Sequence, residues 1–313
     1  MNIAILGATS FIAQELVREW VGLNKVACIH LYARNIDSVE LFCSTIKSGV
    51  TVLQGKTLEC FPDGVIYDAV INCIGVGDPA KAKMMSNQIM DITFQYDDMV
   101  LHYLEQHPQC KYIFLSSGAA YGSDFERPAS INKKASFEIN SLQETETYGL
   151  AKFITEMKHR CKPNFSIVDV RVFNIFSKNQ NIASKFFITD MLRAIQNSTS
   201  CDVSPEPMVR DYLHPKDFCQ IIECILAAGA LNMAVDCYSK APVDKSTLLN
   251  ALQTSYGLQW RYTSDASIVR ATGTKCNYYS ENHSLERLGY KPEYSSLDTI
   301  LTEFDKALSR SRS

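Results

Sequence analysis

The sequence predicts an α/β protein built on a doubly wound parallel sheet with a smaller C-terminal part. Runs that are apolar throughout alternate with segments of helical periodicity over the first half of the chain. Strands buried on both faces are typical of parallel sheets that helices cover. The 313 residues also suit two domains, at about 150 residues each, and the regular alternation weakens from about Asn174 onwards.

Six short apolar or β-branched runs predict the strands of the first part. In chain order they are Asn2–Leu6, Val26–Tyr32, Thr51–Leu53, Asp68–Ile74, Tyr112–Leu115 and Ser166–Phe173. The spacing of apolar residues between the first two runs predicts a helix over Phe11–Val21. Three later helical patterns are mixed with Pro- and Ser-bearing connections: Phe186–Ile195, Phe218–Ala228 and Leu297–Leu308.

Composition and charge exclude several classes of protein. The chain has 31 Lys and Arg against 34 Asp and Glu, a formal charge of −3, so it offers no cationic surface for nucleic acid or an anionic membrane. No apolar run reaches the roughly 20 residues of a membrane span, and no signal peptide is recognised. Eleven scattered cysteines without a Cys-x-x-Cys pair predict reduced thiols and no metal site. We therefore expect a cytoplasmic protein.

A turn of small residues between the first strand and the first helix is a candidate anion site. The segment Gly7-Ala8-Thr9-Ser10-Phe11-Ile12-Ala13 would let backbone N–H groups approach a pyrophosphate at a helix N-terminus. The candidate cofactor-binding residues here are Gly7, Thr9, Ser10, Phe11 and Ile12. The alternative is that small residues at this junction only permit close packing.

The end of the second strand bears on which dinucleotide would bind. NAD-binding folds usually carry an acid there for the ribose hydroxyls, but this strand ends in Arg34, with no carboxylate until Asp37. A guanidinium suits a 2′-phosphate, whereas the alternative is an ordinary surface arginine. NADP(H) is therefore favoured, with NAD(H) as the alternative.

Tyr148 and Lys152 form the sharpest pattern in the chain. Four residues apart on a predicted helix, they share one face, and a lysine ammonium beside a phenol favours the phenolate. Ser117 ends an earlier strand, and ligands of open α/β sheets bind beyond the carboxyl ends of strands. These three residues are the candidate catalytic group.

Taken together, these segments resemble the extended short-chain dehydrogenase/reductase family, which modifies nucleotide-linked sugars. The opening turn is similar to the family's G-A-T-G-F-I-G-like turn, with Ser10 and Ala13 in place of two glycines. Ser117, Tyr148 and Lys152 have the layout of the family's triad. Three further matches follow in the same order, an R-x-F-N, an R-D-F-I-H-x-x-D and an L-G-W/Y-x-P element: Arg171–Asn174, Arg210–Asp217 and Leu288–Pro292.

The resemblance implies roles for the matching residues of the catalytic group. Ser117 and Tyr148 would contact the reacting sugar oxygen, with Tyr148 as proton donor or acceptor. Lys152 would hold the nicotinamide ribose and lower the pKa of Tyr148.

The resemblance also implies how cofactor and substrate are held. Ile74 and Gly75 would contact the cofactor through their backbone, and Asn174 and Arg210 would bind the diphosphate of the substrate. Asp217 is given no catalytic role.

The resemblance also implies a domain division and a homodimer. We expect residues 1–173, with 215–238 returning, to form an NAD(P)-binding Rossmann domain, and 174–214 and 239–313 to form a substrate-binding domain. A dimer would form through paired helices. The apolar pattern between Met99 and Leu104 fits such a helix, or one that packs on its own sheet.

Several reactions use this chemistry: ketone reduction, alcohol oxidation, epimerisation and 4,6-dehydration. Dehydratases of the family carry Asp and Glu directly after the strand-end hydroxyl residue, where this chain has Gly118 and Ala119. We expect reduction of a 4-keto nucleotide sugar, and a C4 epimerase with tightly bound NAD as the alternative. A non-catalytic nucleotide-sensing protein is a third hypothesis, which the intact triad opposes.

Overall fold

A sheet of seven parallel strands forms the centre of the molecule in a computed structural model that describes residues 1–23, 26–46, 49–75, 85, 88–263 and 275–310. The strands of these residues are β1 (Asn2–Leu6), β2 (Cys28–Ala33), β3 (Val52–Thr57), β4 (Ala69–Asn72), β5 (Lys111–Ser117), β6 (Ile167–Val172), β7 (Ser200–Val203), β8 (Val209–Arg210), β9 (Asn232–Asp236), β10 (Val243–Asp244), β11 (Gln259–Tyr262) and β12 (Asn277–Tyr278).

The helices lie between these strands in chain order. They are α1 (Phe11–Leu23), α2 (Ile36–Thr45), α3 (Ile89–Gln106), α4 (Thr147–Arg160), α5 (Phe187–Asn197), α6 (Pro215–Ala227), α7 (Lys245–Tyr256) and α8 (Ser296–Arg310). A short 3₁₀ turn, Gly118–Tyr121, directly follows β5.

The central sheet has the strand order β3-β2-β1-β4-β5-β6-β9, and every neighbouring pair is parallel. Its first six strands follow the order of a doubly wound Rossmann sheet, which confirms the predicted fold class. Alternate side chains of each strand face opposite layers. Ile3 and Ile5 belong to the core beneath α1 and α6, whereas Ala4 and Leu6 belong to the core beneath α3.

Of the strands that the sequence predicted only in part or not at all, β3 and β9 have identifiable reasons. β3 extends to Thr57, beyond the predicted end at Leu53. It lies at the sheet edge, where exposed Gln54 and half-buried Lys56 replace the apolar run that marks a central strand. The sequence did not distinguish β9 as a strand of its own, because after a short gap its residues continue the apolar pattern of α6.

Residues 215–238, expected to return to the cofactor-binding part, include α6 and β9, which pack on and pair with the central sheet. A separate apolar core, with members from α5, α7 and α8 such as Leu192, Leu249 and Phe304, lies in the later part of the chain. The small sheets β10-β8-β12 and β11-β7 also belong to that part. The division into a cofactor domain and a substrate domain stays a prediction.

All eleven cysteines are free thiols. Within the residues that the structure describes, each helix is too short or too polar to cross a membrane.

Candidate active site at the carboxyl ends of the strands

The turn after β1 lies in the crevice between β2 and β4. The backbone N–H groups of Gly7 and Ala8 donate to the Tyr32 carbonyl at the end of β2, at 2.9 and 3.0 Å. Gly7 has φ +75°, and a Cβ at this position would lie 2.9 Å from the backbone of Cys73 and of Ile74. Only glycine fits this close approach, at the point of the sheet where dinucleotide folds place the pyrophosphate.

Ser10 directly precedes α1 and stands in place of a glycine of the G-A-T-G-F-I-G-like turn. Its hydroxyl accepts a hydrogen bond from the backbone N–H of Ala13 at 3.3 Å, so the serine caps the helix. The first turn of α1 contains no acidic side chain. The remaining N–H groups and the helix dipole thus leave this end suited to an anion, beside exposed Thr9 and half-buried Phe11 and Ile12.

The other predicted cofactor-binding residues lie along the same edge. Arg34 is exposed directly after β2, two residues beyond the carbonyl that anchors the turn. The Ile74 N–H donates to the Asn72 side chain at 2.9 Å. A Cβ on Gly75 would lie 3.4 Å from the Nζ atom of Lys152, so the segment after β4 and helix α4 meet here.

Helix α4 brings Tyr148 close to Ser117. The next residue, Gly149, makes this close approach possible. A Cβ on Gly149 would collide with the carbonyl oxygen of Ala119, so the helix can approach the turn after β5 only with glycine there. The Ser117 hydroxyl accepts from the Ala119 N–H at 3.2 Å and also interacts with the Tyr148 hydroxyl. The structure therefore places the two predicted hydroxyl groups together.

The pKa of Tyr148 is raised above its usual value, because burial of the phenol outweighs the hydrogen bond with Ser117, which lowers it. We expected Lys152 to lower this pKa, and the net direction found is the opposite. The lysine ammonium is held elsewhere: Nζ donates to the Leu115 carbonyl at 2.7 Å and lies 5.8 Å from the centroid of the Tyr148 ring.

Lys152 is itself only 1% exposed, and burial lowers its pKa to about 8. Its Nζ lies 4.2 Å from the centroid of the Phe114 ring, a cation–π contact that favours the charged form. Among the groups that oppose the lowering of the pKa, Cys73 is the strongest, followed by Asp97 and Glu156. A lysine that is charged near neutral pH therefore lies between the end of β4 and Tyr148.

Tyr278, on β12, is a site residue that the sequence did not reveal. Its hydroxyl lies 3.3 Å from the Ser117 Oγ atom, and its side chain is 4% exposed. Burial raises the pKa of Tyr278, so it stays a neutral phenol. The pairing of β12 with β8 brings it here, and no local motif around it signals that long-range contact.

Arg210 and Asn174, predicted to bind a diphosphate, lie on neighbouring segments. Arg210 pairs in register with Tyr278, is 4% exposed, and donates from Nη1 to the carbonyls of Val209 at 2.8 Å and Cys276 at 3.2 Å. The Asn174 side chain donates to the Asp211 carbonyl at 3.2 Å. The loop after β6 and the residues after β8 are thus joined at the site.

A buried ion-pair network supports helix α4. It includes Arg171, the arginine of the R-x-F-N element. Glu156, one turn after Lys152, accepts from the Ser116 hydroxyl at 2.5 Å and from Arg171 Nε at 3.0 Å to each oxygen. Arg171 also donates to Tyr121 at 2.6 Å and to Asp236 at 3.2 Å. The network connects α4 to β5, β6 and β9.

Asp217 accepts from the backbone N–H groups of Glu293 and Tyr294 at 2.9 and 3.1 Å. It therefore joins the R-D-F-I-H-x-x-D element to the segment that follows the L-G-Y-x-P element.

The candidate site combines an anion-binding turn with two hydroxyls and an ammonium at one edge of a parallel sheet. This arrangement can bind a dinucleotide and exchange a proton with an oxygen of a second ligand. Within the described ranges, no group of three or more His, Cys, Asp and Glu side chains is arranged to hold a metal ion.

A protein-family model described as the NAD dependent epimerase/dehydratase family matches residues 3–235. The chain belongs to the NAD dependent epimerase/dehydratase family. The resemblance to the extended short-chain dehydrogenases is therefore confirmed, and a nicotinamide dinucleotide is the cofactor that the family name and the Gly7 turn support.

Solved structures of similar fold extend over the whole chain. The UDP-glucose 4-epimerase of Thermotoga maritima with UDP-glucose has a TM-score of 0.80 at 14% identity, covering 100% of both chains. The UDP-glucose 4-epimerase of Bifidobacterium longum with NAD⁺ and UDP has a TM-score of 0.78 at 16% identity, and the match covers 100% of this chain and 99% of that one. The dTDP-glucose 4,6-dehydratase of Bacillus anthracis with NAD has a TM-score of 0.78 at 14% identity, and the match covers 100% of this chain and 98% of that one.

These identities establish a shared fold of the epimerase/dehydratase type and leave the reaction to be argued from the site itself. A comparison with curated proteins finds no significant sequence match.

Proposed function

We propose that this protein transfers a hydride between a nicotinamide dinucleotide and carbon 4 of a nucleotide-linked sugar, most directly by reducing a 4-keto sugar with NADPH. The observation that carries the proposal is the contact of the Ser117 and Tyr148 hydroxyls beside the Lys152 ammonium. This group lies at the same sheet edge as the Gly7 turn, as a hydride transfer between cofactor and sugar requires.

In the proposed reduction, Ser117 and Tyr148 bind the keto oxygen of the sugar and Tyr148 gives it a proton. The raised pKa of Tyr148 suits this direction, because a buried phenol stays protonated until the oxygen accepts the proton. The nicotinamide ring, when bound, supplies the hydride. Lys152 would hold the ribose beside Gly75, and its ammonium lies 5.8 Å from the centroid of the Tyr148 ring.

Cofactor and substrate would be held by the residues around this group. The turn Gly7, Thr9, Ser10, Phe11 and Ile12 would receive the pyrophosphate, with backbone contacts from Ile74 and Gly75. Arg34 would hold a 2′-phosphate, which supports NADP(H), although two of the solved structures described above contain NAD. Asn174 and Arg210 would bind the diphosphate of the sugar nucleotide.

Epimerisation at C4 with tightly bound NAD is the second candidate. It needs the same Ser117, Tyr148 and Lys152 groups, and the solved structures of similar fold include UDP-glucose 4-epimerases. Dehydration is opposed by the positions after Ser117. A side chain on Gly118 would collide with the ring of Phe173, so the acid that dehydratases place there has no room.

Spectroscopy of the cofactor separates these reactions. Purified protein with NADPH and a panel of 4-keto-6-deoxy nucleotide sugars should lose absorbance at the band of the reduced nicotinamide. The same protein with catalytic NAD and UDP-glucose should form no UDP-galactose. Interconversion of the UDP-sugars without net NADPH consumption on any keto sugar would instead establish the epimerase.

We also propose a homodimer formed through α4. Its outward face carries an apolar stripe at helical spacing, in which Ile154 is 39% and Met157 is 42% exposed. The pattern between Met99 and Leu104, considered for this role, belongs to the molecule's own core, since Val100, Leu101 and Leu104 are buried against the sheet.

The free cysteines support a reducing, cytoplasmic location.

A further inference from the structure

A half-buried lysine beside the proposed substrate site has no part in the chemistry described above. Lys275 directly precedes the Cys276–Tyr278 segment, and its Nζ atom lies 4.8 Å from the centroid of the Tyr278 ring and 5.1 Å from that of Phe125. The hydroxyl of Tyr278 is the group that contacts Ser117. Only one aromatic ring therefore separates Lys275 from the hydroxyls that would bind the sugar.

Two further cations surround the same pair of rings. The Arg210 guanidinium carbon lies 5.9 Å from the centroid of the Tyr278 ring, and Lys133 Nζ lies 4.7 Å from that of Phe125. Both charges act against the protonation of Lys275. Three cations are thus gathered around the rings of Phe125 and Tyr278, and the Tyr278 hydroxyl contacts Ser117.

No carboxylate of the described chain forms an ion pair with Lys275. Glu146 is the one acid among its strongest electrostatic neighbours, and the Glu146 carboxylate accepts from the Gln143 N–H at 3.1 Å instead. Burial is the main reason that the pKa of Lys275 falls to about 8, and repulsion from Arg210 adds to it. The cation–π contacts offset part of this cost.

An anion between these cations would remove the repulsion and supply the missing partner. Charge-assisted hydrogen bonds from lysine and arginine to phosphate or carboxylate oxygens are stronger than neutral ones, and partial burial strengthens them further. The position beyond Tyr278 is where the part of a substrate next to its reacting oxygen would extend.

We propose that Lys275, together with Arg210 and Lys133, binds an anionic oxygen of the nucleotide sugar, carried by its diphosphate or by a carboxylate on the sugar ring. The proposal rests on the proposed function, because it takes the reacting oxygen to lie at Ser117 and Tyr148. It assigns Lys275 as a residue that binds the anionic part of the substrate.

Binding measurements on the full chain test this assignment. Lys275→Met removes the charge at similar length, Lys275→Arg keeps it, and Lys134→Met changes an exposed lysine next to Lys133 as the matched control. Calorimetry gives the Kd of uridine, UDP, UDP-glucose and UDP-glucuronic acid, and of the thymidine counterparts of the first three. We expect Lys275→Met to weaken anion binding about tenfold or more, with Lys275→Arg close to wild type and Lys134→Met unchanged.

The ligands identify the source of the anion. An equal loss for UDP and all its sugars assigns Lys275 to the diphosphate, and a loss confined to UDP-glucuronic acid assigns it to a ring carboxylate. Unchanged affinity for every ligand in Lys275→Met overturns the proposal, as does an equal loss for uridine itself. Lys275→Gln serves in the same way should Lys275→Met not fold. A wild-type protein that binds no nucleotide sugar overturns the proposed function as well.

Discussion

Two phenols lie against Ser117, and the proposed chemistry gives them different tasks. Tyr148 shares helix α4 with Lys152, whereas Tyr278 reaches the same hydroxyl from β12. Tyr148→Phe should lower the turnover of NADPH by orders of magnitude, because no other group then gives the sugar oxygen its proton. Cofactor binding, measured by fluorescence titration, should remain.

Tyr278→Phe is the matched control for that loss. It deletes one hydroxyl from the same small site and should leave most of the turnover, since Tyr278 is given no proton to transfer. An equal loss of turnover in both variants would show that the site cannot tolerate the loss of either hydroxyl. Tyr148 would then have no special role as the proton donor.

Lys152 should set the alkaline limit of activity. Its pKa of about 8 means that it is charged below this pH and loses its proton above it. Measured for NADPH, kcat/KM of the reduction should therefore be level below about pH 8 and fall at higher pH. In Lys152→Arg, whose guanidinium keeps its charge, the fall should move to higher pH; an unchanged profile would exclude Lys152 as the titrating group.

At the scale of elements, α4 is unusual because its sheet-facing side is polar. After Lys152 and Glu156 it presents His159, which is fully buried between Asp97 of α3 and Asp169 of β6, at 2.7 and 2.6 Å. Burial alone would lower the pKa of His159, but the two carboxylates raise it to about 9. The charged histidine therefore connects α3, α4 and the sheet.

This histidine makes stability depend on pH in a defined direction. The pKa of His159 is raised from 6.5 to about 9. Charged His159 therefore stabilises the fold fully below pH 6.5, and this stabilisation is lost as the pH rises through 9. At about 1.4 kcal/mol per pKa unit, this difference in pKa corresponds to a stabilisation of roughly 3 to 4 kcal/mol. The free energy of unfolding, measured with urea, should be higher for wild type than for His159→Gln. This difference should be clearly larger at pH 6 than at pH 10. A pH-independent difference would contradict the assignment.

How much of these elements a sequence can reveal depends on where each one lies. Central strands such as β1 and β5 are apolar on both faces and were predicted within a residue or two, whereas β3, a polar edge strand, was only partly recognised. Tyr148 and Lys152 were found because a helix brings them together locally. Tyr278 was missed, because its partner Ser117 lies 161 residues away and only the pairing of β12 with β8 joins them.

At the scale of the whole molecule, the apolar stripe on α4 predicts a dimer that charge can disrupt. The double variant Ile154→Glu and Met157→Glu should convert a dimer into a monomer, because two carboxylates in an apolar contact lose hydration without gaining partners. Light scattering measures the mass. Leu41→Glu, at a residue 69% exposed on α2, should leave the mass unchanged. A wild-type monomer would disprove the dimer.

The position of β9 also has a consequence for how the molecule forms. β9 closes the sheet against β6, although about 60 residues separate the two strands in the chain. During synthesis the edge of β6 therefore emerges long before its partner and stays unpaired while the intervening chain is made. Open strand edges of this kind attract other chains, so we expect pairing with β9 to protect the edge of β6, after which β9 is the outermost strand of the sheet.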